Sequence, residues 1–484
     1  MEIRNKRLTD DEFEDEREKV LAMWPTGKEV DFDEAIEFHK SMPEKKNCAK
    51  KYADAKEKGV VLTRTDSGVP LVEEQIDYLR YLQNEGRSDL LGTIIDSYTR
   101  LLQFKKAGEG IIESSRTGKW MLNGYPIVNH GRVKARKIIV AVDQPVQIRG
   151  PIADSRLIVE TGLAAGYTAT TCTPMMSFSQ YSSNLPLSTI IRNYQYVYRL
   201  MGRYEEERVP IVGEMSGGAQ VITPNSLTHA LMIIEAIIAA EQGVKNISPV
   251  IHGQGNLIQD VAACIALREL CREYLNRFGY SDMELSVVFT TWSGKFPADT
   301  AEAFAVICLS VIPPLLGGAQ VAHVKTINEA HTIPRKEDNA ASLRADKKVI
   351  EMLRGQRFEL ESKGVEEEIK TQKLETKAIL DRVIDLGEGD VAVGAIKAFK
   401  LGVLDQVFPT NRHVAGKVSG IRDSEGAVRY FDHGNLPFTN EILEFHREKI
   451  ADREKLQGKK VDYDLMIDDI FSISKGSLVT RFNT

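Results

Sequence analysis

Residues 210–252 read PIVGEMSGGAQVITPNSLTHALMIIEAIIAAEQGVKNISPVIH. The stretch opens on a short β-branched run at 210–214. Leu227, Ala230, Leu231, Ile234 and Ile238 then fall on one face of a helix spanning 226–242. Asn225 or Ser226 can cap its start, and Gly243 ends it. A second β-branched run follows at 247–252. Strand, helix, strand within about forty residues predicts a parallel pair joined by a crossover helix.

Similar runs lie on both sides of this unit, at 60–64, 145–149, 168–173, 285–291 and 321–325, and most are separated by helical patterns. A last element is expected within 391–408. About eight strand candidates over some 350 residues predict a (β/α)8 TIM barrel. No GxGxxG turn follows a strand, which argues against an open dinucleotide-binding sheet. Residues 1–57 are charge-rich and read as an N-terminal helical arm. Residues 58–414 hold the barrel, and 415–484 form a C-terminal appendage that begins with a hairpin-like stretch. The charged segment 351–387 reads as a solvated helical excursion.

The chain has 484 residues, of which 42% are hydrophobic and 27% charged, enough for a large core. Net charge is -6 with both signs interspersed, which argues against a nucleic-acid partner. The five cysteines form no CxxC pair, so neither a disulfide framework nor a structural zinc site is expected. The charged N-terminus lacks the apolar core of a signal peptide, and the apolar run 231–240 is broken by Glu235 and too short to span a bilayer. These features predict a cytoplasmic protein with no membrane contact.

Barrel active sites lie at the C-terminal strand ends. That rule selects Arg149, Thr171, Cys172, Glu214, His252, Trp292 and Lys325. An arginine at a strand end needs an anion, either a ligand carboxylate or a barrel acid, and both readings stand for Arg149. Arg100, after Asp96-Ser-Tyr-Thr, is weaker taken alone. Lys325 and Glu329 are four apart, which is an ordinary ion pair on a helix but a grip on ligand hydroxyls at a strand end. His252 reads more readily as a core histidine than as a catalyst. No HExxH, metal cluster or GxSxG elbow occurs, so no catalytic acid–base pair is in view and a cofactor is expected to supply the hard chemistry.

At these positions the chain resembles the large (E, or epsilon) chain of glutamate mutase, also called methylaspartate mutase. The resemblance runs nearly end to end. It includes MWPTGKEVD from residue 23, LRYLQNEG from 79, IDSYTR from 95, MLNGYPIVNHG from 121, DSRL from 154, AAEQGVKNI from 239, GNLIQD from 255, KTINEAHTIPRKEDNAA from 325, AVGAIKAF from 392 and MIDDIFSISKG from 466. It implies a TIM barrel and adenosylcobalamin, whose Co–C bond yields the adenosyl radical that starts the interconversion of glutamate and 3-methylaspartate. No D-x-H-x-x-G run occurs here. The resemblance accordingly implies a separate small cobalamin-binding subunit, with a homodimer of this chain inside a heterotetramer.

Carried over position by position, Gly68, Asn123, Phe296, Lys325, Glu329 and Ile333 are expected to face the cobalamin and its adenosyl group. On the substrate side Arg100, Arg149 and Tyr181 match. Asp66 stands where the family has a third carboxylate-gripping arginine, and Thr171 where it has a glutamate. Gly150 replaces a histidine, Ser177 a tyrosine and Gln180 a cofactor-contacting proline. No catalytic side chain or metal ligand is assigned. The expectation is a carbon-skeleton mutase (an isomerase) acting on a small carboxylic or amino acid, with an altered substrate. Two other readings are ordinary glutamate mutase, in which Arg64 swings in to compensate for Asp66, and a non-catalytic or regulatory paralogue that still docks the small subunit.

Overall fold

The computed structural model describes residues 3–329, 334–356 and 362–479. Its sheet comprises β1 (Leu62–Ser67), β2 (Leu90–Ile94), β3 (Val146–Arg149), β4 (Ala169–Thr171), β5 (Val212–Met215), β6 (Asn246–His252), β7 (Glu284–Leu285), β8 (Val288–Thr290) and β9 (Val321–His323). Neighbours pair in parallel from β1 through β6. Both β7 and β8 pair with β6, β8 pairs with β9, and β9 returns to β1. Because β7 and β8 are two pieces of one barrel position, the result is a closed eight-stranded (β/α)8 barrel.

Two expectations need correction. Residues 391–408 supply no barrel strand: Val391–Leu401 is a helix, started by the Asp390 side chain and ended by Gly402 in the left-handed region. The missing strand is β2, whose LLGTI is short, carries a glycine and lies close before the helical pattern of 104–117. Likewise 351–387 is no solvated excursion. Lys363–Leu386 is a 24-residue helix packed on Leu257–Arg277 and Asn225–Glu241. It buries Val365, Ile379, Leu380 and Val383, and its Glu368 and Glu375 meet Arg429 and His446 from the C-terminal region. The charge pattern misled because these carboxylates face partners far along the chain.

The helix Asn225–Glu241 forms as its apolar face predicts, but neither Asn225 nor Ser226 caps it. Its N-cap is Pro224, and Ser226 Oγ instead meets Glu375 and Tyr430. On the outside of the barrel, Asp10–Leu21 starts with a Thr9/Glu12 capping box and buries Phe13 and Val20. Cys48–Lys58 serves differently. Its Cys48, Ala49, Tyr52 and Ala55 form one cluster with Leu62, Leu90, Ala169, Val212 and Val321, the first residues of five strands. This helix therefore closes the N-terminal end of the barrel. The antiparallel pair Ser419–Arg422 and Val428–Asp432 begins the C-terminal region, followed by Asn440–Gln457 and Tyr463–Ile470. Among the described residues no helix is long and apolar enough to cross a membrane.

Candidate active site

Period-two alternation along the strands points Arg64 and Asp66 (β1), Gln147 and Arg149 (β3), Glu214 (β5) and His323 (β9) into the barrel. Arg64 is fully buried, and its Nη1 donates to both Gln147 and Glu214. Arg149 forks: its Nε donates to Asp66 at 3.1 and 3.3 Å, while Nη1 pairs with Glu214. Tyr52 of the closing helix donates to Glu214 at 3.1 Å and accepts from Gln147 at 2.7 Å. Two guanidinium groups thus balance two carboxylates.

Burial alone would push the Asp66 carboxyl up, but Arg149, His323 and Arg64 outweigh it and hold it well below the usual range. Glu214 is lowered too, with burial opposed by Arg149 and Arg64. His323 Nε2 lies 3.1 Å from Asp66 Oδ2 and Nδ1 lies 3.2 Å from Thr290 Oγ1. Burial holds the His323 ring down to about 4 even though Asp66 pulls the other way. The neutral ring fits these contacts: Nε2–H donates to Asp66 and Nδ1 accepts from Thr290. His252, half-buried, is lowered to about 3 and lies 3.1 Å from Ser216 Oγ.

The folded His323 titrates below its ordinary 6.5, so it adds no pH dependence above that value. Between 6.5 and 4 the unfolded chain takes up a proton that the native ring refuses, and stability falls by about 3 kcal/mol on this account. His323→Gln lacks that loss. The stability gap between the native chain and this variant should therefore narrow by about 3 kcal/mol between pH 7 and pH 4 in urea titrations. Parallel pH curves would mean that the folded His323 ring takes up its proton at the same pH as in the unfolded chain.

Gly92 on β2 makes the Asp66–Arg149 contact possible. A Cβ there would stand 2.1 Å from Asp66 Oδ1 and 3.1 Å from Arg149 Cγ. Gly92→Ala should cost about 1–3 kcal/mol by overpacking, read from thermal denaturation. An unchanged melting temperature would show that Asp66 is free to move aside.

Above this layer, at the C-terminal mouth, lies a cavity of about 610 Å³ whose wall includes Asp66, Gly68, Asn123, His323, Lys325 and Glu329. Lys325 Nζ is 3.2 Å from Glu329 Oε1, and both side chains are about a quarter exposed (23% and 27%). They sit in the loop after β9, not on a helix, so the ordinary i, i+4 helix pairing does not describe them. Asn123 Oδ1 accepts from the Ser97 backbone at 2.9 Å. Gly68 allows two loops to meet, since a Cβ there would stand 2.3 Å from the Ile94 carbonyl oxygen. Phe296 is not among the residues lining this cavity. It is buried in a cluster with Trp292, Ala303 and Ile307. Ile333 lies outside the described residues.

Arg100 ends the short helix Ser97–Arg100, which the Asp96 side chain caps. Its Nη2 donates to Ser97 Oγ at 3.1 Å, and its buried Nε has no partner. Thr171, at the end of β4, donates to the Ile148 carbonyl at 3.3 Å, and its hydroxyl accepts from the Gly150 backbone at 3.4 Å. Gly150 has φ +122°, and a Cβ there would approach Arg100 Cδ to 3.3 Å. Tyr181 is partly exposed, Ser177 Oγ lies 3.3 Å from Thr173 Oγ1, and Gln180 bonds Gln220.

The sequence reading missed His323 and Tyr52. The signal for His323 was present, since it is two residues before Lys325 in VAHVK and alternation gives both one face. Tyr52 carried no such signal, because its partner Glu214 is 162 residues away.

A family described as methylaspartate mutase E chain matches residues 42–482. The chain belongs to this family. It is 43% identical over 483 residues to the glutamate mutase epsilon subunit of Desulfitobacterium hafniense, with 99% of each chain covered. It is 41% identical over 482 residues to that of Treponema denticola, again with 99% of each covered. These relatives support a mutase large subunit.

Proposed function

We propose that this chain is the large subunit of an adenosylcobalamin-dependent carbon-skeleton mutase whose substrate is a small acid other than glutamate. The substrate would lie in the barrel mouth, beneath a cofactor held mainly by a separate small cobalamin-binding subunit. A homodimer of this chain would form the centre of a heterotetramer.

The observation that carries the reading is Asp66. It stands on the wall of the same cavity as Lys325 and Glu329, tied to Arg149 and His323. The donor set fits the cofactor's adenosyl ribose: an ammonium that donates and a carboxylate that accepts, 3.2 Å apart on the cavity wall. Gly68 and Asn123 would face the same group. The substrate side fits glutamate poorly, because a second substrate carboxylate would meet the negative charge of Asp66. Arg64 gives no relief, being fully buried and engaged by Glu214 and Gln147 below the cavity. Arg100 would hold a carboxylate, Tyr181 and Thr171 would flank it, and Asp66 would accept from a donor group of the substrate.

The test mixes the chain with a small cobalamin-binding subunit, adenosylcobalamin and a panel of small acids, and follows paramagnetic resonance. A signal is expected with an acid other than L-glutamate. A signal of full strength with L-glutamate would overturn the altered-substrate reading. A stable complex silent with every acid would identify a regulatory paralogue.

A further inference from the structure

We infer that the barrel mouth takes a small acid with a single carboxylate, held by Arg100, and rejects acids with two. The inference rests on the reading above only in taking this mouth as the substrate site. It follows from how the charges pair. Of the four cations at or below the mouth, Arg64, Arg100, Arg149 and Lys325, three are in ion pairs with Asp66, Glu214 and Glu329. Arg64 and Arg149 are matched by Glu214 and Asp66, and Lys325 by Glu329.

Of these four cations, Arg100 has no carboxylate within 4.0 Å among the described residues, and its buried Nε is without a partner. Burial lowers its pKa, with Tyr181 and Asp96 opposing. Asp96 makes no ion pair with Arg100 within 4.0 Å: its Oδ1 caps the helix through the Tyr98 and Thr99 backbone. A half-buried guanidinium in this state presents its donor fork to an anion from outside the chain.

Arg100 is joined to the wall of the mouth through Ser97. Ser97 Oγ accepts from Arg100 at 3.1 Å and from Asn123 Nδ2 at 2.8 Å, and Asn123 lines the cavity. Tyr181 is within electrostatic reach of both Arg100 and Lys325. A second carboxylate would find Arg149 already forked between Asp66 and Glu214, and would face Asp66 itself. A hydroxyl or ammonium on the ligand would be accepted by Asp66 instead.

The experiment is calorimetric titration of the full chain with L-2-aminobutyrate, glutarate and L-glutamate. The aminobutyrate should bind at least about tenfold more tightly than either diacid. Arg100→Gln should weaken aminobutyrate binding by about tenfold or more, and Arg100→Lys should weaken it less. Asp66→Asn should raise glutarate affinity about tenfold by restoring net charge to Arg149. Glutarate binding to the unmodified chain as tightly as aminobutyrate, or no saturable binding of any probe, would overturn the inference. Selective aminobutyrate binding without any paramagnetic signal in the loaded complex would sink the mutase reading and leave the ligand class intact. A signal with a diacid would do the reverse.

Discussion

Glu214→Gln is expected to lower the stability of the folded chain by about 3–5 kcal/mol. Glu214 is buried and receives Arg64, Arg149 and Tyr52. The amide keeps its shape but removes its charge, so Arg64 and Arg149 would share Asp66 alone. Arg64 is fully buried and 3.8 Å from Asp66, too far for a strong bond. An uncompensated guanidinium would then sit in the barrel centre, away from water. The fall is read from the midpoint of urea unfolding at neutral pH. A change under about 1 kcal/mol would mean that water reaches the barrel interior.

The second large effect concerns turnover. Arg149→Lys should reduce the rate of the loaded complex by about 10- to 100-fold. Lysine keeps the charge but has one point of donation, whereas Arg149 spans Asp66 through Nε and Glu214 through Nη1. Either carboxylate would be released, and Asp66 would lose the contact that fixes it in the cavity wall. The rate with the panel acid that gives the strongest signal is the readout, beside a melting curve to separate turnover from folding. An unchanged rate would mean that the position of Asp66 does not matter to the substrate.

Much of the barrel was legible because its strands are short, β-branched and separated by periodic helices, as in residues 210–252. The strand Leu90–Ile94 was not, since the requirement for Gly92 comes from Asp66 and Arg149 on neighbouring strands. The same long-range cause hid the buried role of Lys363–Leu386, whose acids pair with Arg429 and His446. Arg149 was recognisable as a strand-end cation, but its sequence left a ligand anion and a barrel acid equally open. In the fold it makes ion pairs to Asp66 and Glu214. Arg100, the weaker candidate by pattern, has no carboxylate within 4.0 Å among the described residues and a buried Nε without a partner. Local sequence records which side chains reach the strand ends, and only the closed sheet records which charges meet there.

The most direct measurement is proton NMR of L-glutamate incubated with the reconstituted complex, comparing the unmodified chain with the double variant Asp66→Arg, Thr171→Glu. The expected result is no 3-methylaspartate from the unmodified chain and its appearance with the variant. Conversion of L-glutamate by the unmodified chain at a rate equal to that of a glutamate mutase assayed alongside would contradict the altered-substrate site.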